Sequence, residues 1–354
     1  MKSGSKWVKF LLSFFILILL LTGIFMVVVD PCFHYHAPLP YFSYTLDNAR
    51  YQNDGIVKHF DYDALITGSS MTECFKTSEL DALFGVHSIK VPYSGGSFKE
   101  VGDNLKVACA SQPQLKMVVR GLDGNRFFNS KDDMDYAEYP TYLYDDSYLN
   151  DVNYLFNKNL LLTGLQNVIG KNSTGDIKMS FDDYCNWNDH FTFGKSVVDA
   201  YYHRETITPA ETMTPITEDD YAKIEANIRQ NVTDVADAYP DITFYIYFTP
   251  YSIYYMDYWY QLGDLERQLL AERYIIELLL EHENIRLFSF YTRHEIVNNL
   301  DLYRDVAHHN GAVNTQILKW MKEGTGLLTK ENYQEYCDDV WDYYMNFDYD
   351  SLFE

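Results

Sequence analysis

Residues 64–71 read ALITGSSM. An apolar run leads directly into Gly68, and two serines follow the glycine. A short apolar run that ends at a glycine is typical of a buried strand turning into the next element. A serine at such a turn is a candidate nucleophile. Its hydroxyl becomes reactive only when a base removes the proton, so the chain must also supply a base.

Strand and helix patterns alternate on both sides of a long irregular middle segment. Apolar and branched runs predict strands at 63–67, 87–91, 115–119, 243–248 and 285–290. Helical spacing predicts helices at 77–85, 98–110, 221–239, 265–279 and 312–322, and Thr217 with Asp220 resembles a capping box. The alternation predicts an α/β fold, a three-layer α/β/α sandwich with a mostly parallel sheet of about five strands.

Composition and patterning divide the chain into four segments. We expect a cytoplasmic stub and transmembrane anchor at 1–29, and an extended juxtamembrane lead-in at 30–60. The α/β domain is predicted over 61–325, with an insertion at 126–216, and an acidic, aromatic C-terminal tail over 326–354. Long irregular segments such as this insertion usually carry function or act as lids.

The N-terminal apolar run is long enough to span a bilayer. Trp7–Val29 contains Lys9 as its only charged residue. Lys2 and Lys6 precede the run and Asp30 follows it, so the positive-inside rule places the N-terminus in the cytoplasm. A cleaved signal peptide is the alternative, but the run is long for one and no small-x-small cleavage site follows. We therefore expect a single-pass cell-membrane protein whose C-terminal domain is extracytoplasmic.

The charge and cysteine content restrict the class of partner. The formal net charge is −23, which argues against nucleic acid, since phosphate binding needs a basic face. The five cysteines are too few for a disulfide scaffold and lack metal-like spacing. Cys32-x-His34-x-His36 could be drawn as a metal cluster, but an extended aromatic stretch is the favoured interpretation, and no cofactor or metal is expected. The 32 tyrosines and 22 phenylalanines weakly favour a glycan-facing role.

The base is supplied by a second stretch, Asp305-Val306-Ala307-His308, about fifteen residues after the fifth predicted strand. A histidine can take the serine proton, and a carboxylate fixes its tautomer. Ligands bind parallel sheets outside the carboxyl ends of the strands. One rim can therefore gather the 305–308 segment, the serine turn and the loops at 94–96, 121–125 and 251–255.

Together these stretches resemble the SGNH (GDSL-like) hydrolase and acyltransferase superfamily over roughly residues 60–325, without the insertion. Gly68-Ser69-Ser70-Met71 is similar to the Gly-Asp-Ser-Leu motif of that family. The resemblance implies that Ser70 is the nucleophile, with Ser69 as the runner-up. It also implies that Asp305 and His308 complete the triad; the spacing does not favour His309.

The resemblance also implies an oxyanion hole, a set of donors that stabilise the negative charge developing in the transition state. Backbone N–H groups of Ser70 and of Gly95 or Gly96 can supply two donors. The family has Gly-x-Asn-Asp after the third strand, whereas the chain reads Gly-Leu-Asp-Gly there, with Asn125 two places late. An ionised Asp123 aimed at an oxyanion would oppose catalysis, so either Asn125 reaches in by another loop path or this donor is missing.

The overall plan is similar to the teichoic-acid D-alanine transfer proteins (DltD) and the polysaccharide O-acetylation proteins of bacterial envelopes. That similarity implies a membrane-anchored serine esterase or O-acyltransferase acting on an acylated envelope glycan or polymer. It also implies a membrane partner that donates the acyl group. Hydrolysis and transfer both stay open, since they depend on whether water or a sugar hydroxyl reaches the acyl-enzyme.

Each of these residues also has an ordinary structural interpretation. The serines and Asp305 could be helix caps, and His308 could be a surface histidine. The cluster at 187–190, WNDH, could contact substrate or form a structural loop. The alternative function is a catalytically inactive scaffold or glycan-binding protein. A separation between Ser70 Oγ and the His308 ring beyond about 4–5 Å would favour that alternative, because a general base acts at hydrogen-bond reach.

Overall fold

The computed structural model describes residues 2–353 except for 135, 137–138, 146, 171–178 and 205–212. In chain order the helices and strands are α1 (Lys2–Val29), α2 (Ala49–His59), β1 (Ala64–Gly68), α3 (Thr77–Phe84), β2 (Ser88–Pro92), α4 (Phe98–Ser111), β3 (Met117–Leu122), α5 (Val152–Leu155), α6 (Lys158–Ile169), α7 (Lys195–Tyr201), α8 (Glu218–Ile228), α9 (Asp234–Ala238), β4 (Thr243–Phe248), α10 (Ile253–Leu262), α11 (Leu265–Leu279), β5 (Ile285–Phe288), α12 (His294–Val297), α13 (Gly311–Glu323), β6 (Leu327–Leu328) and α14 (Tyr333–Met345). Residues 171–178 and 205–212 belong to the predicted insertion, so that part of the prediction lies outside the described residues.

The strands form one mostly parallel sheet in the order β2-β1-β3-β4-β5-β6, which confirms the predicted α/β class. Strands β1 to β5 pair in parallel, and β6 pairs antiparallel to β5. The expectation of about five strands is corrected to six. The sixth strand has two residues inside the predicted C-terminal tail, and so short a strand carries no periodic pattern that a sequence could reveal.

Strand β3 also extends further than its sequence pattern predicts. Arg120 and Gly121 look like the start of a turn, yet both lie in the sheet. The Arg120 guanidinium is buried and donates to the backbone carbonyls of Asn231 and Phe98, at 2.6 and 3.3 Å. A polar residue can therefore occupy a buried strand position where backbone acceptors satisfy it. The predicted capping box is confirmed at the start of α8. Thr217 Oγ1 accepts the Asp220 N–H, and the Asp220 side chain accepts the Thr217 N–H.

The described chain packs into two compact units. The first contains residues 1–60 and 138–180, and the second contains 61–137 and 181–354. This division cuts across the predicted insertion at 126–216, whose middle part packs with the N-terminal segment. The predicted tail belongs to the second unit, where α14 packs against α11.

In the first unit, the end of α1 is built into the fold through Asp30. The buried carboxylate of Asp30 accepts the backbone N–H groups of His34, Tyr35 and His36 at 2.7–3.0 Å. The Tyr154 hydroxyl donates to the same carboxylate at 2.6 Å. These four hydrogen bonds compensate the burial of a charge. They tie residues 30–36 and α5 to the end of the N-terminal helix.

The N-terminal helix is long and apolar enough to cross a membrane over Ser5–Val29. Only 11% of its most apolar 18-residue stretch is buried, which is unlike the core helix of a water-soluble domain. A signal sequence would have the same length and composition.

In the second unit, the sheet order places a crevice between β1 and β3. The chain leaves β1 for β2 on one side and then crosses to β3 on the other. Open parallel sheets bind ligands at such a reversal, outside the carboxyl ends of the strands. The predicted serine turn follows β1, and the turn that contains Asp123 follows β3. The fold therefore brings both predicted turns to the same crevice.

Candidate active site

The turn after β1 uses Ser69 as a structural cap and leaves the Ser70 hydroxyl accessible to a base. Gly68 has φ of +149°, and a Cβ there would lie 2.6 Å from Thr72 Cγ2, so this position requires glycine. Ser69 is buried, and its Oγ accepts the Met71 N–H at 3.2 Å as the cap of a short 3₁₀ turn over Ser70–Thr72. Ser69 thus takes the capping role, and Ser70 is left half-buried and free to face the base.

Ser70, His308 and Asp305 form a continuous hydrogen-bonded chain. Ser70 Oγ lies 2.9 Å from His308 Nε2. On the other side of the ring, His308 Nδ1 lies 2.9 and 3.0 Å from the two carboxylate oxygens of Asp305. A carboxylate can only accept, so it selects the tautomer with the proton on Nδ1 and leaves Nε2 to accept from the serine. The structure brings together the three predicted triad residues in the order that general-base catalysis needs.

The carboxylate of Asp305 is held ionised by its surroundings. Burial alone would raise its pKa, but the hydrogen bond and charge of His308 outweigh burial, and the backbone N–H groups of His308 and Ala307 add to this. The result is a pKa of about 2. Asp305 Oδ1 accepts those two N–H groups at 2.8 and 2.9 Å. Asp305 therefore also has the capping role that its sequence context allowed.

The loop that carries His308 is fixed from two sides. Tyr303 and His309 form an antiparallel bridge across it, and the Arg304 N–H donates to the His308 carbonyl at 3.0 Å. Before α10, Ser252 donates from Oγ and N to the Val306 carbonyl, at 2.7 and 3.1 Å. The rejected neighbour, His309, is 1% exposed, and burial lowers its pKa to about 4. It is a core residue of the loop.

The predicted oxyanion residues separate into two groups. Gly95 and Asn125 line the same small cavity as Ser70 and His308, about 70 Å³ in volume. Gly96 does not line it, and its N–H is already used, since it donates to the Tyr93 carbonyl at 2.7 Å. A Cβ at Gly96 would lie 2.7 Å from Tyr93 Cβ, so this glycine serves the turn. The choice between the two glycines therefore falls on Gly95.

Asn125 reaches the cavity by the alternative loop path, on a 3₁₀ turn over Gly124–Arg126. Asp123 also lines the cavity, but its Oδ1 accepts the Thr249 hydroxyl at 2.9 Å. The Tyr251 hydroxyl donates to Asn125 Oδ1, at 3.5 Å. The Thr249 hydroxyl thus compensates the burial of the carboxylate that replaces the expected Asn.

An aromatic and cationic wall closes the other side of the triad. Trp187 packs edge-on against His308 at 5.6 Å between ring centroids, and its Nε1 donates to the Ser70 carbonyl at 3.3 Å. The Arg304 guanidinium lies between the rings of Trp187 and Phe191, 4.1 and 4.0 Å from their centroids. Its Nε is 3.3 Å from the Asp305 carboxylate. The first residue of the predicted WNDH cluster therefore contacts the triad.

Three residues of this site escape the sequence motifs: Arg304, Arg126 and Glu73. Arg126 donates from Nη2 to the Gly95 carbonyl at 3.0 Å and holds the glycine loop beside the cavity. Burial raises the pKa of Glu73 to about 7, opposed chiefly by the charges of Lys90 and His308. Arg304 is next to Asp305 and Glu73 is three residues after Ser70, and this nearness to a predicted triad residue is the signal that the sequence offers for them.

Among the described residues, no group of three or more His, Cys, Asp or Glu side chains could hold a metal ion. The sequence stretch 32–36 is organised instead by Asp30 and Asp151: His34 Nε2 lies 3.3 Å from Asp151 Oδ1. A scan of protein-family models finds no match to this chain, and searches of characterised proteins and of solved structures find no similar protein.

Proposed function

We propose that this protein is a membrane-anchored, extracytoplasmic serine esterase or O-acyltransferase acting on a cell-envelope glycan or polymer. The observation that carries the proposal is the 2.9 Å separation of Ser70 Oγ and His308 Nε2, with Asp305 on the opposite ring nitrogen. That distance lies within hydrogen-bond reach, well inside the limit of about 4–5 Å set above. It supports a catalytic protein over an inactive scaffold or glycan-binding protein.

The reaction follows from the roles of the three side chains. Ser70 Oγ attacks the acyl carbonyl while His308 Nε2 takes the hydroxyl proton, and Asp305 stabilises the resulting imidazolium. Collapse of the tetrahedral intermediate breaks the bond to the leaving alcohol, which receives the proton from His308. Water or a glycan hydroxyl then attacks the acyl-serine and gives its proton to His308. The acid or the new ester leaves, and Ser70 recovers its proton.

The developing oxyanion has three donors available at the cavity. Among the described residues, no acceptor is recorded for the backbone N–H groups of Ser70 and Gly95. The side-chain amide of Asn125 lines the same cavity and is the third donor, although Asp123 holds the position that the resemblance gives to an Asn. Preorganised donors of this kind supply a large part of the rate in acyl transfer.

The cavity supports a short acyl group. At about 70 Å³ it is much smaller than the roughly 300–1,000 Å³ of pockets that enclose whole ligands. Only the acyl portion would enter, and the alcohol portion, a sugar or polymer unit, would stay outside. A polymer substrate fits this division because its bulk need not be enclosed.

The proposed extracytoplasmic position of the domain is based on the charge distribution around α1. Lysines at its N-terminal end favour a cytoplasmic N-terminus and an exported remainder, by the positive-inside rule. The sheet order and the positions of the serine turn and the Asp305–His308 loop support the SGNH resemblance and a three-layer α/β/α arrangement. An acyl donor held by a membrane partner is part of this proposal.

The experiment is a burst measurement with 4-nitrophenyl acetate on the detergent-solubilised full chain. An active protein should release one equivalent of nitrophenolate on first acylation, whether the second step is hydrolysis or transfer. Ser70→Ala should abolish the burst. Ser69→Ala is the matched control: it loses only the cap on Met71 and should keep the burst. Absence of any nitrophenolate release above background from the folded wild-type protein would favour the scaffold, and unchanged release from Ser70→Ala would refute Ser70.

A further inference from the structure

The outer end of α1 is packed along one side by α5 and α6 of the same unit. Met26 is fully buried in an apolar cluster with Tyr154 and Leu160. At Gly164 of α6, a Cβ would lie 3.1 Å from a ring carbon of Phe25 and 3.7 Å from Val29 Cγ1. The glycine thus allows α6 to approach the last turns of α1 closely.

This contact lies at the depth of the bilayer interior if α1 spans the membrane. Lys9 is the last charged residue before Asp30, so the uncharged part of the helix is Phe10–Val29. Its 20 residues are about 30 Å long, which matches the thickness of the hydrocarbon core. Keeping Lys9 outside the core therefore places Val29 at the opposite edge of it. The last turns of α1, which contact α6, lie inside that edge.

An open apolar groove continues from this contact along α1. It runs from Ile16 to Val28, has a volume of about 550 Å³, and is bounded on one side by Leu155 and Phe156. The groove-lining residues of α1 are large and aliphatic except for Gly23. Interfaces between transmembrane helices are enriched in small residues that let backbones approach, so this lining is poorly suited to another helix. Fluid acyl chains need no such approach.

The outward face of α6 is apolar as well. Leu162, Leu165 and Ile169 recur at helical spacing on this face and are 47–65% exposed. Contiguous exposed apolar surface of this kind marks an interaction site in a folded protein. Both ends of α6 are capped: the Asn157 side chain accepts two backbone N–H groups at its start, and the Gly170 N–H donates to the Gln166 carbonyl at its end. Satisfied backbone groups are a requirement for any segment at membrane depth.

We propose that the exposed apolar face of α5 and α6 contacts lipid acyl chains beside α1, in the leaflet next to the folded first unit. This inference rests on the membrane anchoring by α1 proposed above. The first unit is then attached to the membrane by two adjacent surfaces, the spanning helix α1 and the embedded face of α5 and α6, and not by a flexible linker. The occupant is lipid because the groove is continuous with the lipid-facing surface of α1.

The test uses the full chain in nanodiscs of phosphatidylethanolamine and phosphatidylglycerol. The photo-reactive residue p-benzoylphenylalanine replaces one residue at a time: Leu165 on the apolar face, Thr163 about 100° or more round α6 from each of the three apolar residues, and Leu20 in α1. Irradiation should give lipid adducts at Leu20 and Leu165, several-fold more than at Thr163, as measured by mass spectrometry. Circular dichroism checks that each variant is folded.

Each other outcome has a definite meaning. Lipid adducts at Leu20 without any at Leu165 would overturn the embedded face and leave the anchor intact. An absence of lipid adducts at Leu20 would overturn the anchor and the inference with it. In native membranes, a protein adduct in place of the lipid adduct at Leu165 would also overturn the inference, since it would identify another membrane protein as the occupant.

Discussion

Replacing Asp305 by Asn should separate catalysis from stability. The Asn oxygen can still accept the backbone N–H groups of Ala307 and His308, which Asp305 Oδ1 accepts at 2.9 and 2.8 Å. The Asn amide would then face His308 Nδ1. An N–H group there makes Nδ1 an acceptor and moves the ring proton to Nε2. Nε2 could no longer accept the Ser70 proton, and acylation should fall by about 10³–10⁴-fold, the size of loss typical of a wrong tautomer.

The cost in stability should be small by comparison. The pKa of Asp305 falls from 3.8 to about 2 in the folded protein. That shift corresponds to about 2 kcal/mol of preference for the carboxylate. Because the folded pKa is the lower one, this contribution is present above about pH 4 and is lost as the pH falls through 2. Asp305→Asn should therefore lose about 1–2 kcal/mol at neutral pH, which leaves a protein of ordinary stability folded.

The assay is the burst of nitrophenolate from 4-nitrophenyl acetate, combined with denaturant unfolding of the same samples. Asp301→Asn is a matched control from the same segment. Asp301 also accepts a backbone N–H, that of Lys195 at 3.1 Å, but it makes no recorded contact with His308. This variant should keep the wild-type acylation rate. If Asp305→Asn keeps more than about a tenth of that rate while Asp301→Asn is normal, the tautomer argument is refuted.

Three further predictions concern the surroundings of Ser70. Asn125→Ala should lower the acylation rate about 10²–10³-fold if its amide serves the oxyanion, with unfolding unchanged, and a loss under threefold would remove Asn125 from the oxyanion hole. Trp187→Ala should lower the rate about tenfold by freeing Arg304, whereas Trp187→Phe, which keeps a ring beside the guanidinium, should lose less; equal losses in the two variants would contradict the stacking role. Burial raises the pKa of Glu73 to about 7, so the folded protein binds this proton more tightly than the unfolded chain, and stability falls as the pH rises from about 4.5 to 7. Glu73→Gln should match wild type in urea unfolding at pH 4.5 and exceed it by about 3 kcal/mol at pH 8, and an equal difference at both pH values would count against this cause.

The sequence predicts the sheet and the triad because both depend on local patterns. Each of the five predicted strands is an apolar run between breakers, and each falls on a strand of the structure within a few residues. The triad is predictable because Ser70 and His308 each follow a strand at a recognisable spacing. Ligands bind parallel sheets outside the carboxyl ends of the strands, so the sequence places both segments at one rim, and the strand order comes from the structure.

The positions of Trp187 and Arg304 beside the triad, and the packing of the first unit, depend on contacts between residues far apart in the sequence. Trp187 reaches Ser70 across 117 positions of sequence, from a segment without strand or helix periodicity. The Tyr154 hydroxyl donates a hydrogen bond to Asp30, 124 positions away in the sequence, and no pattern in either segment predicts this contact. The sequence predicts a turn at Arg120 because the acceptors of its side chain, the carbonyls of Asn231 and Phe98, are brought near only by the fold. Such contacts follow from packing geometry, which periodicity does not encode.

The most direct test of the central claim is to map the residue that a fluorophosphonate probe modifies. Only a serine activated by a base reacts readily with such a probe. The full chain is labelled in detergent, digested, and fragmented by mass spectrometry across the peptide that contains Ser69 and Ser70. We expect one adduct, on Ser70, which disappears in His308→Asn. An adduct on Ser69, or no adduct on a folded protein, would contradict this expectation.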